Sequence, residues 1–336
     1  MIERKKGQSN AAVDMAKYLF ALMILALHAG VDLGPFQPVF RIAVPCFFLF
    51  SSFYLFSKIG NAADEKEERQ ILKRFVIRNI KLYAFWLIVQ LPLIFSRWGT
   101  VDMRTILEFL RGLCFGSTFT ASWYITATVI DCCLVYFLAK KLGDKILLGI
   151  GAVCYLACLI FSNYYGLVSW CLPLRYAFTA FITVFASVVT GFPAGMLWIV
   201  IGRMLARRPN VDRKSYEWLF VLGLVGLFLE KAVVDRFGLA LRDDQYLMLI
   251  PVCCALFQIL RGSRWTWTHS IKFRNMSTII YASHGSALQI ISFLLPALGA
   301  DALLLFAAAL IFTTLLSILI FTLEKHRKFF WVRCAH

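Results

Sequence analysis

The first apolar stretch, Ala11 to Gly30, reads AAVDMAKYLFALMILALHAG and carries three polar groups that a helix selected only for spanning would lack: Asp14, Lys17 and His28. A stretch of ~20 residues at ~1.5 Å each matches the hydrocarbon thickness of a bilayer. Polar side chains at that depth are costly unless they face a protein interior or a water-filled path. Lys17 and His28 are eleven steps apart, and at ~100° per residue eleven steps come within about 20° of three whole turns, so both leave one helical face, roughly 16 Å apart along the axis. The spacing predicts a stripe that lines a buried polar path, with an ammonium near one end and an imidazole near the other.

Further polar residues fall at the ends of later apolar stretches. Arg41 opens the run Arg41-Ile-Ala-Val-Pro45-Cys-Phe-Phe-Leu-Phe-Ser51-Ser52-Phe-Tyr54, and the short turn with Pro35 and Pro38 before it puts the guanidinium at about the height of His28. Snorkelling to head groups is the other reading of Arg41. Arg74, Arg78 and Lys81, spaced by four and three, share a helical face that could grip a polyanion such as nucleotide phosphates or anchor on anionic lipid. Ser122-Trp123-Tyr124 opens another span, where the two aromatics suit a substrate wall or an interfacial belt. Asp131 follows two turns deeper; a carboxylate there must be neutral or paired, and Lys17 or Arg78 are its expected partners. Glu230 is a weaker case of the same kind. Gly191-Phe-Pro193-Ala-Gly195 predicts a kink within an apolar stretch. Tyr281 and His284 lie about a turn into a late span, with a packed structural role as the alternative for the histidine.

The elements that must hold these groups are membrane helices. For 336 residues, 60% are hydrophobic and 16% charged, with mean hydropathy +0.73, far from a soluble globular composition. Apolar windows predict an all-α polytopic bundle of about ten transmembrane helices, at 11–31, 38–57, 75–95, 122–139, 145–163, 178–202, 216–232, 245–260, 277–296 and 301–323. With the N-terminus in the cytoplasm, 24 basic residues fall on the inside, among them Arg4, Lys5 and Lys6, and 7 outside, among them Arg97. The asymmetry puts both termini in the cytoplasm, with tails at 1–10 and 324–336 around a single membrane domain. It also accounts for the net charge of +16 without nucleic acid. The ten cysteines include no C-x-x-C, so neither a zinc site nor a redox pair is expected and no metal is required; Cys114 and Cys171 could meet outside. The basic N-terminus precedes an apolar region too long for a cleaved signal, so it is expected to be retained. Within 96–121, Ile106, Leu107, Leu110 and Leu113 recur at helical spacing, as in a capping or interfacial helix.

Taken together, Asp14-x-x-Lys17-x10-His28, Arg41-x-x-Val-Pro-x-Phe-Phe with Ser51, the basic start of the third span, Ser122-Trp123-Tyr124 and Tyr281-x-x-His284 resemble the bacterial membrane acyltransferase family 3 over nearly the whole chain. Ser52 stands where that family usually has glycine, and Lys17 where it often has arginine. The resemblance implies acyl transfer, usually of acetyl, from cytoplasmic acyl-CoA to a hydroxyl of an envelope polysaccharide or lipid-linked glycan at the inner membrane. On that reading Lys17, Arg74 and Arg78 meet the CoA phosphates, His28 is general base or covalent carrier, and Arg41 stabilises the oxyanion or holds the acceptor. Asp14, Trp123, Tyr124, Asp131, Tyr281 and His284 are substrate or structural polar groups. The membrane portion of serine racemases linked to vancomycin resistance resembles the same family, so movement or sensing of a small solute such as serine is the alternative expectation. The sequence leaves the oligomeric state open.

Overall fold

Hydrocarbon offers the backbone no partners, so a chain this apolar must satisfy its own N–H and C=O groups, which helices do internally. The computed structural model describes residues 10–96, 98, 101–187, 189–208 and 213–336. Arg4, Lys5, Lys6 and Arg97, which enter the charge asymmetry, lie outside them, as does the tail before Asn10. Among the described residues every regular element is helical. The long helices are α1 (Ala11–Ala29), α2 (Ala43–Gly60), α3 (Glu65–Phe95), α4 (Met103–Cys114), α5 (Trp123–Ile160) and α6 (Leu172–Phe185). They continue as α7 (Phe192–Ala206), α8 (Arg213–Arg236), α9 (Leu249–Arg261), α10 (Ser270–Leu294) and α11 (Ala302–Leu323). Five helical runs, 11–29, 34–60, 65–95, 123–160 and 302–323, are long and apolar enough to cross a membrane.

Helix starts follow local chemistry. Asn10 caps α1 by accepting from the Ala12 and Val13 N–H groups, and its amide donates to Leu260 O at 2.9 Å, tying α1 to α9. Asp64, Asp102 and Asp301 cap α3, α4 and α11 in the same way. Gly30, at φ 76°, ends α1 in the left-handed conformation that glycine adopts without strain.

The bundle is organised by α1 and α2. Helix α1 lies along α10, and α2 packs against α7, which in turn runs along α5. Where α2 meets α7, Ser52 is fully buried and donates to Ile199 O, while a Cβ on Gly202 would fall 2.7 Å from the Ser52 Cβ. The close approach that a glycine at position 52 would permit is thus provided by Gly202 on the facing helix.

One expectation changes. The stretch 178–202 is not one kinked span: α6 ends at Phe185, before Ala186 at φ 63°, and α7 starts after Gly191, φ 79°. A Cβ on Gly191 would sit 2.7 Å from Phe115 O, so the break is built around a close backbone crossing. Helix α5 breaks at Gly143, φ 75° and ψ 164°, between the expected spans 122–139 and 145–163, so these remain two helical segments. Helix α4 does form, and it leaves Ile106, Leu107 and Leu110 exposed, the pattern of an interfacial helix. Cys114 and Cys171 are free thiols.

Candidate active site

Lys17 and His28 both face the neighbouring helices α2 and α10. His28, in the last turn of α1, has Nδ1 2.9 Å from the Ile24 carbonyl. A carbonyl can only accept, so Nδ1 carries the proton and the Nε2 lone pair is left free in the neutral ring. The His28 ring lies 4.8 Å from that of His284 on α10 and faces a cavity of about 170 Å³. His284 is fully buried behind it, with Nδ1 2.6 Å from Tyr281 O and Nε2 without a partner.

Arg41, Trp123 and Tyr281 line the same cavity, with Phe48, Trp198 and Tyr155 forming its aromatic wall. The Tyr281 hydroxyl donates to Ala121 O at 2.7 Å, holding Ala121 at φ 62°, a conformation non-glycine residues rarely adopt. Ser122 accepts from the Thr118 N–H at 3.0 Å and fixes the same turn, so the entry to α5 is rigid where Trp123 joins the wall. Arg41 does not snorkel freely: its Nη1 pairs with Asp244 at 2.7 Å, and Asp244 pairs also with Arg242 at 2.9 Å.

The loop that supplies these groups is braced by Glu230. Its carboxylate accepts from the Leu247 and Met248 N–H groups at 2.6 and 2.8 Å and from the Tyr164 hydroxyl at 2.7 Å. Burial and that bond to Glu230 push the Tyr164 hydroxyl well above its ordinary pKa, so it remains a donor. Glu230 is therefore a fully used structural acceptor and not an isolated carboxylate.

Lys17 is not part of the cavity wall. Its ammonium lies over the Phe50 and Tyr54 rings at 5.3 and 5.6 Å. Arg78 and Arg274 are close enough to act on it electrostatically, and Arg274 also reaches Asp14 at 3.8 Å. Asp14 accepts a 2.8 Å hydrogen bond from Ser270, which joins α1 to the start of α10. At intermediate depth Phe47, Tyr124 and Tyr281 meet pairwise at 5.5 to 6.0 Å, and the Tyr124 hydroxyl bonds Ser51 at 2.9 Å. One helix face therefore serves two polar regions with a layer of rings between them. Arg74 stands apart from both, exposed and 3.4 Å from Gln70.

The expected pairing of Asp131 with Lys17 or Arg78 does not occur. The carboxylate is fully buried, both oxygens lack a hydrogen-bond partner, and its side chain lies against Gly195 of α7. It leaves α5 on the α7 side, away from the cations on α1 and α3. Sequence reasoning missed Asp244 and Gln245 altogether and read Arg242 and Arg274 only as topology markers. The run Arg242-Asp243-Asp244-Gln245 beside an apolar stretch was the available signal, because acids next to a span need partners.

The chain matches the family model for an acyltransferase domain over residues 10–322. It therefore belongs to acyltransferase family 3, a helical membrane family whose enzymes move acyl groups other than amino-acyl groups. Among curated proteins it is 25% identical over 281 residues to an amino-acid racemase of Enterococcus faecalis, covering 79% of this chain and 38% of that protein. It is likewise 25% identical over 274 residues to a serine/alanine racemase of Enterococcus gallinarum, covering 77% and 38%. The chain spans about two fifths of the length of these relatives. No solved structure matches it.

Proposed function

We propose that the chain transfers an acyl group, acetyl in the simplest case, from cytoplasmic acyl-CoA to a hydroxyl of an envelope glycan or lipid-linked precursor. It would sit in the inner membrane as about ten spans with both termini in the cytoplasm. The observation that carries this reading is the His28 imidazole, whose Nδ1 is tied to Ile24 O while the ring lines the cavity. That lone pair takes the acceptor's hydroxyl proton as the oxygen attacks the thioester carbon, and the proton then passes to the departing thiolate. Arg41, in the same wall, supplies positive charge to the developing oxyanion. Lys17, Arg78 and Arg274 at the opposite end of α1 would meet the CoA phosphates, with the acyl arm passing the Phe47, Tyr124 and Tyr281 rings on its way to His28. Incubating inside-out vesicles with radiolabelled acetyl-CoA tests this: label should enter an envelope glycan only when the chain is present.

The relatives' names place small amino acids such as serine among what those proteins act on, and passage of such a solute is the second reading. Vesicles without acyl-CoA separate the two, because a transferase leaves labelled serine outside and a transporter admits it.

A further inference from the structure

One end of the cavity gathers two guanidiniums around a single carboxylate, and acyl transfer gives a role to Arg41 alone. Asp244 uses both carboxylate oxygens on arginines, Oδ1 on Arg41 and Oδ2 on Arg242. Two guanidiniums share one carboxylate, which leaves a net positive charge beside His28. Two buried polar atoms there also lack partners: Nε of Arg41, a donor, and Oε1 of Gln245, an acceptor on a residue only 8% exposed. Arg41, Arg242, Asp244 and Gln245 all line the cavity. Buried polar groups are ordinarily hydrogen-bonded, so the arrangement suits a ligand that brings an acceptor to the guanidinium and a hydroxyl donor to the amide. The facing wall, Phe48, Trp123 and Trp198, is apolar and fits a carbon skeleton.

We infer that this cavity is an anion-selective acceptor subsite, taking a hydroxylated unit of about monosaccharide size that bears a carboxylate or phosphate. The anion sits on the Arg41 and Arg242 guanidiniums. Gln245 Oε1 accepts from a neighbouring hydroxyl, and Asp244 competes for the same arginines and sets how tightly the anion is held. An ammonium is disfavoured because Asp244, the one carboxylate in the cavity wall among the described residues, is already doubly paired. The inference deepens the acyl-transfer reading by naming the acceptor class, but its test does not require turnover.

Isothermal titration calorimetry on the purified chain in nonionic detergent, without acyl donor, compares glucuronate with glucose and glycerol 3-phosphate with glycerol. At least one anion should bind about tenfold or more tightly than its neutral counterpart, and which one does so separates carboxylate from phosphate recognition. Arg242→Gln, at a side chain that is 56% exposed and so tolerant of change, should remove that preference. Asp244→Asn should strengthen anion binding several-fold, a gain that a merely structural role would not give. Equal binding of charged and neutral probes, or anion binding untouched by Arg242→Gln, overturns the inference. Anion preference in a chain that transfers no acyl group would count against the acyl-transfer reading alone. Transfer without anion preference would count against this subsite alone.

Discussion

The imidazoles of His28 and His284 stand 4.8 Å apart on α1 and α10, and each has Nδ1 against a backbone carbonyl of its own helix, Ile24 O for one and Tyr281 O for the other. Only His28 reaches the cavity. On the proposed acyl-transfer reading His284 acts through it, as a positioning residue packed against the His28 ring. Replacing His284 with Phe fills the volume but removes the tether to Tyr281 O. Because misplacing a catalytic group by about 1 Å can cost about a hundredfold, kcat should fall by roughly that factor while KM for acyl-CoA stays nearly constant. Steady-state kinetics on the detergent-purified variant checks this, and unchanged kcat would reduce His284 to packing.

Arg274 is expected to matter for the donor and not for the chemical step. It stands near Lys17 and Asp14 at the far end of α1 from His28. Losing one charge-assisted contact to a phosphate is worth about 1.5–3 kcal/mol, so Arg274→Gln should raise KM for acyl-CoA by about tenfold or more. The split between KM and kcat, measured with varied acyl-CoA, distinguishes this from a folding defect, which would lower the active fraction and leave KM alone.

How far the sequence reaches is visible in these same residues. The eleven-residue spacing of Lys17 and His28 was enough to put both on the side of α1 that meets α2 and α10, since helical geometry fixes that much. Spacing within one helix cannot show what neighbouring helices insert, and the rings of Phe47, Tyr124 and Tyr281 come from three other segments. Arg41 was legible as a neighbour of His28 by its height, and it lines the cavity, whereas Asp244 was not, because it lies 203 positions away in a loop with no periodicity. Asp131 misled for a related reason: burial depth was readable, but its direction depends on α7 approaching at Gly195. The break between α6 and α7 was marked by Gly191 and Pro193, yet its extent depends on the crossing at Phe115.

Gly195 gives a test of that packing. A Cβ there would fall 2.8 Å from the Phe48 ring and closer still to the Asp131 carboxylate. Overpacking of this kind typically costs about 1–3 kcal/mol, so Gly195→Ala should lower the Tm measured in detergent. Since Phe48 also lines the cavity, acyl transfer should fall with it. An unchanged Tm would mean that α5 and α7 separate more easily than their contact implies.

The base role of His28 is tested most directly by His28→Ala, assayed for acyl transfer from radiolabelled acetyl-CoA after membrane insertion and Tm have been matched to the parent chain. Removing a general base costs about 10²–10⁴-fold, and a rate reduced by at least the lower figure, with acyl-CoA binding retained, is the predicted result. A correctly inserted His28→Ala chain that acylates at the parent rate would contradict it.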